Sequence, residues 1–182
     1  MAKFDLKSAI KNAEDTRAAE PMDAGYPRVI ITQIAEVGLQ RAFNVGDEPK
    51  NSVGIVFENT TGQQLCKIMP LLTSNYSNFS KLLNAAEDGD CDLADLLNQE
   101  LVLEIEENGK WPKINGYYSI EDGLSSEAAI TPHSESLYYS VDEPNPEVLK
   151  KLHPQLKQAI AGRIRVKGGT QDANISDAYN SI

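Results

Sequence analysis

Lys110, Trp111 and Lys113 place an aromatic ring and two cations within one short segment of the chain. They follow Glu107-Asn-Gly, and the Asn-Gly pair is typical of a tight β-hairpin turn. Nucleobases stack on aromatic rings, while cationic side chains follow the phosphates of a single strand. The segment is therefore suited to single-strand binding, with Trp111 as the stacking ring and the lysines as phosphate contacts. The alternative is that Trp111 covers the end of a barrel and both lysines are simply solvated.

Other aromatic and basic residues lie in predicted loops and strands. A cation within an apolar strand must face solvent or a ligand, and an aromatic ring in a loop indicates binding more strongly than one in a strand. Tyr117 and Tyr118 are neighbours on a strand, so they point to opposite faces, and which one faces a ligand is left open. Tyr26, beside Pro27, is interpreted as a packing residue. The further candidates for single-strand binding are Arg28, Arg41, Phe43, Lys50, Lys67, Tyr117 and Tyr118.

The sequence carries no nucleotide-binding, dinucleotide-binding or Ser/His/Asp motif. Glu104, Glu106 and Lys110 come closest to a metal-dependent nuclease set, but glutamates that protect an edge strand from aggregation explain them more simply. The two cysteines and two histidines lack the spacing of a zinc site, and reduced, partly buried thiols are expected. We therefore expect no catalysis, no metal and no cofactor.

Five segments rich in β-branched and aromatic residues predict strands at 28–37, 52–58, 64–69, 100–106 and 111–120. Between the third and fourth strands, Phe79, Leu82, Leu83 and Ala86 recur at helical spacing and predict a helix over 76–86. Asn145 is a predicted N-cap with Pro146 at the first helical position, and Pro154 divides this C-terminal helical piece in two.

A helix between strands three and four is the connection expected of a five-stranded OB-fold barrel. The predicted fold class is therefore mainly β, an OB-fold barrel with a short C-terminal helical extension, although other small β-barrels fit the same counts. The predicted organisation is a flexible arm at 1–22, the OB-fold domain at 23–141, a helical segment at 142–162 and a flexible tail at 163–182.

The net charge of −10 is unusual for a nucleic-acid-binding protein. Acidic residues concentrate at 87–95 and 100–107, whereas isolated cations occur in the other strand-like segments. An acidic back with a basic groove gives this composition, and so does an acidic protein that binds no nucleic acid. No apolar run approaches the ~20 residues of a membrane helix and the N-terminus lacks a signal-peptide pattern, so a cytoplasmic location without membrane contact is expected.

Four segments, in the order in which they occur along the chain, resemble a known protein family. They are 25–40, 43–50, 98–120 and 139–160, and the last is the most specific because Asp142-Glu-Pro precedes a helix broken at a proline. Together they resemble a family of phage single-stranded DNA-binding proteins. The resemblance implies an OB fold, sequence-independent binding and protection of single-stranded DNA in replication or recombination, with no cofactor and no catalysis.

Many proteins of this class end in a dense acidic tail that recruits partners. Here the tail has only Asp172 and Asp177, and the basic residues Arg163, Arg165 and Lys167 precede them. The partners implied are single-stranded DNA, replication or recombination proteins reached through this tail, and a second copy of the chain. The alternative function is an OB-like protein–protein adaptor or structural protein, whose docking would respond far less to salt than phosphate binding does.

Overall fold

The computed structural model describes residues 22–42, 44–72, 74, 76–86 and 91–165. Its central element is strand β1 (Arg28–Gln40), where a β-branched run favours extended backbone. One edge of β1 pairs antiparallel with β2 (Lys50–Asn59), which pairs with β3 (Gln64–Pro70). The other edge pairs antiparallel with β4 (Glu100–Glu106), which pairs with β5 (Lys113–Tyr118). The resulting order is β3-β2-β1-β4-β5.

This sheet is curled. In a flat sheet, β3 and β5 would lie about 19 Å apart, four strand spacings of about 4.8 Å. Helix α1 (Asn78–Ala86) nevertheless packs against both of them. The rings of Phe57 on β2 and Tyr117 on β5 also come within 6.3 Å of each other, centroid to centroid. Among the described residues β3 and β5 do not pair, so the curled sheet remains open.

The concave side of the sheet encloses the first hydrophobic core. Helix α1 contributes Phe79 and Leu82, which its helical spacing places on one face, and the Ser77 hydroxyl accepts a hydrogen bond from the Ser80 N–H as a cap. A short 3-10 helix (Leu93–Leu96) adds Leu96. The remaining buried residues of this core are Met22, Val29, Ile31, Ile34, Val53, Ile55, Phe57, Met69, Leu101, Leu103, Ile105 and Tyr117.

The convex side carries a second core, which the C-terminal part of the chain closes. Strand β6 (Leu137–Ser140) pairs in parallel with β1, and helices α2 (Pro146–Lys151) and α3 (Pro154–Ala161) follow. The Cβ that an alanine would have at position 54 would lie 2.1 Å from a methyl carbon of Leu156, so Gly54 permits the close approach of α3 to β2. The buried residues here are Ala35, Val37, Val56, Leu137, Tyr139, Leu152, Leu156 and Ile160.

The chain is mainly β, as predicted, and the five predicted strands and the helix between the third and fourth are confirmed. The N-cap at Asn145 and the break at Pro154 are confirmed as well. Strand β1 runs three residues beyond its predicted end because Gly38, with φ of +77°, lies at a register shift instead of ending the strand. The sheet also has a sixth strand, β6, whose parallel pairing with β1 the five-stranded prediction did not include.

The predicted arm and tail lie largely outside the described residues. Met22, assigned to the arm, is buried in the first core, and Ile164, assigned to the tail, pairs with Leu39 of β1. The described fold therefore includes residues that the prediction assigned to the arm and to the tail. None of the described helices is both long enough and apolar enough to cross a membrane.

Candidate nucleic-acid interface

The β4–β5 hairpin presents a surface that contains four of the ten predicted binding residues, namely Lys110, Trp111, Lys113 and Tyr118. Trp111 lies in the turn with 46% of its surface exposed, and Lys110 and Lys113 beside it are exposed. The backbone N–H of Trp111 donates to the Asn108 carbonyl at 3.2 Å, and this hydrogen bond closes the turn. The segment Lys110–Lys113 is therefore accessible to a ligand, as the predicted single-strand binding requires.

Tyr118 and Tyr26 extend this surface away from the turn. Tyr118 points to the outer side of β5, and its ring lies 6.5 Å from that of Tyr26, centroid to centroid. The Tyr118 hydroxyl donates to Glu104 Oε2 at 3.0 Å, and the Tyr26 hydroxyl donates to Glu104 Oε1 at 3.5 Å. Gly116 makes room for this arrangement, since an added Cβ would lie 2.9 Å from the Tyr118 ring. We call Tyr26, Lys110, Trp111, Lys113 and Tyr118 the hairpin face.

Tyr117 points the other way. It is only 9% exposed in the first core, and its buried hydroxyl has no hydrogen-bond partner among the described residues. Burial raises the pKa of the Tyr117 hydroxyl well above its usual range. The pKa of Tyr118 is also raised, first by its hydrogen bond to Glu104 and then by the charge of that carboxylate. Of the two neighbouring tyrosines, Tyr118 is therefore the one that a ligand can reach.

Tyr26 was interpreted from the sequence as a packing residue, yet it is 46% exposed. It lines an open groove of about 700 Å³ between the chain entering β1, the β2–β3 turn and residues 124–127. Leu124, 43% exposed, lies in the same groove. The signal available in the sequence was the preceding Gly25, which is typical of a turn and has a φ of +133° in the structure.

Arg41 and Lys50 lie at the opposite end of β1 from the hairpin face. Both are exposed, and Lys50 begins β2 directly opposite Gln40. Gly25 pairs with Ile105 at the hairpin end, so the two regions are separated by most of the 13 residues of β1. At about 3.3 Å per residue this is up to about 40 Å along the strand. Phe43, the aromatic candidate in this loop, lies outside the described residues.

Two predicted cations have other surroundings. Arg28 Nε donates to Glu100 Oε1 at 2.9 Å, and its guanidinium also donates to the Glu127 carbonyl at 3.3 Å. Arg28 therefore forms an ion pair that joins β1 to β4, and its second contact joins β1 to residue 127. Lys67 lies on the outermost strand β3, opposite Ile55, with its side chain half-buried. The structure does not bring either residue to the hairpin face.

Residues 124–136, which we call the strap, cross the convex side of the sheet and connect to β6. Two carboxylates of the sheet hold the strap. Glu58, fully buried, accepts from the His133 N–H at 2.8 Å and the Ser134 hydroxyl at 2.7 Å. Glu100 accepts from the Ile130 N–H at 2.9 Å. The strap, α2 and α3 together cover the convex side of β1–β3, so a ligand has access to the hairpin face and the β1–β2 loop.

The carboxylates considered for a nuclease are engaged in local contacts. Glu104 accepts from the two tyrosine hydroxyls, and Glu106 accepts from the Asn115 amide at 2.5 Å. The part of the chain that the structure describes contains no group of three His, Cys, Asp or Glu residues arranged to hold a metal ion.

No protein-family model matches the sequence, and no curated protein matches it either. The resemblance to phage single-stranded DNA-binding proteins therefore stays a prediction.

Proposed function

We propose that the chain is an OB-fold protein that binds single-stranded DNA without sequence preference and without catalysis, and protects it during phage replication or recombination. An OB fold is a partly open five-stranded Greek-key barrel. The curled order β3-β2-β1-β4-β5, the bulged central strand and the helix between β3 and β4 support this fold.

The observation that carries the proposal is the composition of the hairpin face. Two exposed rings, Trp111 and Tyr26, lie on it with the partly exposed ring of Tyr118, and Lys110 and Lys113 supply cations beside them. From Tyr118 to Trp111 the face extends about 20 Å, at about 3.3 Å per residue of β5. Any base can stack on these rings, and the cations follow the phosphates. Binding of this kind does not depend on sequence.

In an OB fold the face of strands two and three commonly takes part in binding, together with the first and last strand-connecting loops. Here the strap and α3 cover that side, and Glu58, Gln33 and Leu156 tie them into the protein interior. We therefore propose that the bound strand follows the hairpin face and the β1–β2 loop, and that the C-terminal helices remain in place.

The test is fluorescence anisotropy of a labelled dT oligonucleotide of about 16 nucleotides, the upper range of OB site sizes, against a duplex of equal length. The expected result is binding to the single strand alone, with a slope of log affinity against log salt of about −0.7 for each phosphate contacted. Trp111→Ala should weaken binding by about 5- to 150-fold, the equivalent of one stacked base at about 1–3 kcal/mol.

Tyr76→Ala is the matched control, because Tyr76 is an aromatic residue that is 90% exposed outside the hairpin face. Equal losses for both variants would show that the hairpin face has no special role. Failure of the protein to bind either form of DNA would refute single-strand binding.

The second candidate is a protein–protein adaptor, which the carboxylates on the hairpin face favour. Glu104 and Glu106 lie between Tyr118 and the turn, and Glu106 is directly opposite Lys113. A basic peptide would pair with these carboxylates, whereas phosphates would be repelled by them. Glu106→Gln separates the two functions, because it should strengthen single-strand binding and weaken binding of a basic peptide.

A further inference from the structure

A cavity of about 180 Å³ lies at the end of β1 far from the hairpin face. The edge of β1 pairs in succession with β4 at residues 28–30, β6 at 33–36 and Ile164 at Leu39. In the part of the chain that the structure describes, the interval between Glu36 and Leu39 has no such partner, and the cavity lies there. Its wall includes Gly38, which has no side chain to fill the space.

The lining of the cavity combines apolar walls with hydrogen-bond acceptors. Leu39, Leu71 and Val141 provide apolar surface, and Glu36 and Asp142 provide carboxylates. Glu36 Oε2 accepts from the Tyr138 hydroxyl at 2.8 Å, which fixes the position of that carboxylate. A cavity on the order of 150 Å³ accommodates a benzene ring, so this one is large enough for a six-membered heterocycle.

Cations surround the cavity because the C-terminal segment returns to β1. The Ile164 N–H donates to the Leu39 carbonyl at 2.8 Å, which places Arg163 and Arg165 beside the end of β1. Arg163 lines the cavity, and its Nη1 donates to the Ile160 carbonyl at 2.7 Å. Arg165 is exposed, and exposed Lys50 directly precedes the lining residues Asn51 and Ser52.

We propose that this cavity holds one pyrimidine base of the bound single strand, with a preference for cytosine, and that Lys50 and Arg165 contact the adjoining phosphates. Cytosine presents an exocyclic amino group that donates to a carboxylate, whereas thymine presents a carbonyl oxygen at the same position. The Asp142 carboxylate therefore favours cytosine, because the Glu36 carboxylate already accepts from the Tyr138 hydroxyl. The proposal rests on the proposed function, and it adds a base-selective position to binding that is otherwise independent of sequence.

The test compares labelled dC and dT oligonucleotides of equal length with the full chain, above neutral pH. The expected result is about fivefold tighter binding of dC, the equivalent of one net hydrogen bond. Asp142→Asn should bring the dC/dT affinity ratio to one or below, since an amide also donates to the thymine carbonyl. Glu143→Gln is the matched control, because it removes the same charge from the next residue, which does not line the cavity.

Arg165→Ala should weaken both oligonucleotides by about fivefold at about 0.1 M salt, the contribution of one phosphate contact. Lys150→Ala, which removes an exposed cation on α2, should leave both affinities unchanged. Equal affinity for dC and dT, or a ratio that survives Asp142→Asn, would overturn the cavity proposal and leave single-strand binding standing. Absence of binding to both oligonucleotides would overturn the two proposals together.

Discussion

His153 shows how one buried side chain connects the sheet to the C-terminal helices. The backbone N–H of His153 donates to Gln33 Oε1 at 2.7 Å. Its ring Nδ1 accepts from the backbone N–H of Gln155 at 3.2 Å and so caps α3. Gln33 is a buried polar residue of β1, so this contact joins strand and helix through the protein interior. This role could not be predicted from the sequence, because His153 forms no recognisable motif with Gln33 or Gln155.

Burial lowers the pKa of His153 from 6.5 to about 4. Below pH 6.5 the unfolded chain gains a proton that the folded chain excludes, so the stability from the neutral ring is complete above 6.5 and is lost as the pH falls towards 4. At about 1.36 kcal/mol per pKa unit, the loss is about 3 kcal/mol. Asparagine at this position keeps a capping acceptor and does not titrate.

Urea unfolding at about pH 7 and about pH 4 should therefore show a smaller loss of stability for His153→Asn than for the unchanged protein. The carboxylates titrate alike in both proteins, so the difference isolates the histidine. The same pH dependence in both proteins would mean that the folded state tolerates a charged His153.

Single residues of the candidate interface were predictable where local pattern determines exposure. Trp111 and its lysines follow an Asn-Gly turn, and the turn alone places them at the surface. The choice between Tyr117 and Tyr118 required knowledge of which side of β5 faces the core. The ion pair of Arg28 with Glu100 joins residues 72 positions apart, which no local pattern reveals.

The strap is an element without regular structure that is nevertheless fixed by specific contacts. The fully buried Glu58 carboxylate accepts from the His133 N–H and the Ser134 hydroxyl. Glu58→Met keeps the side-chain length and removes both acceptors. We expect it to lower the free energy of unfolding by about 1–3 kcal/mol, because donors are left without partners.

Limited proteolysis should cut the strap faster in Glu58→Met than in the unchanged protein. Urea unfolding of the same variant should show a lower midpoint. Glu135→Met is the control within the strap, since Glu135 is exposed and forms only a surface ion pair with Lys151. Similar cleavage rates for both variants would show that Glu58 does not hold the strap.

At the scale of elements, the sequence predicts what periodicity and turn residues determine. The strands, α1 and the divided C-terminal helix follow from alternation, helical spacing and prolines. The partners of β1 do not, because β4, β6 and Ile164 share one edge and their order depends on packing across the whole sheet. The strap cannot be predicted from local pattern for the same reason, since its anchoring carboxylates lie on distant strands.

For the whole molecule, the net charge of −10 predicts opposite effects of salt on folding and on binding. Self-repulsion destabilises a compact acidic chain, and salt screens it as the Debye length falls from about 30 Å at 0.01 M to about 8 Å at 0.15 M. The melting temperature should rise over this range, by about 2–4 °C for each kcal/mol of repulsion removed. Affinity for single-stranded DNA should fall over the same range.

Thermal melts and anisotropy titrations in the same buffers test this prediction. A melting temperature that falls with salt would contradict the prediction that screening of self-repulsion stabilises the folded chain.

The pairing of Leu39 with Ile164 has a consequence for how the protein is made. Leu39 is added to the chain long before its partner Ile164, about 6–25 s earlier at about 5–20 residues per second. During that time the nascent β1–β2–β3 meander exposes Ala35, Val37 and Val56 on the side that α3 later covers. A newly made chain is therefore open to capture by chaperones, or to aggregation with its neighbours, until the segment up to Ile164 has been made.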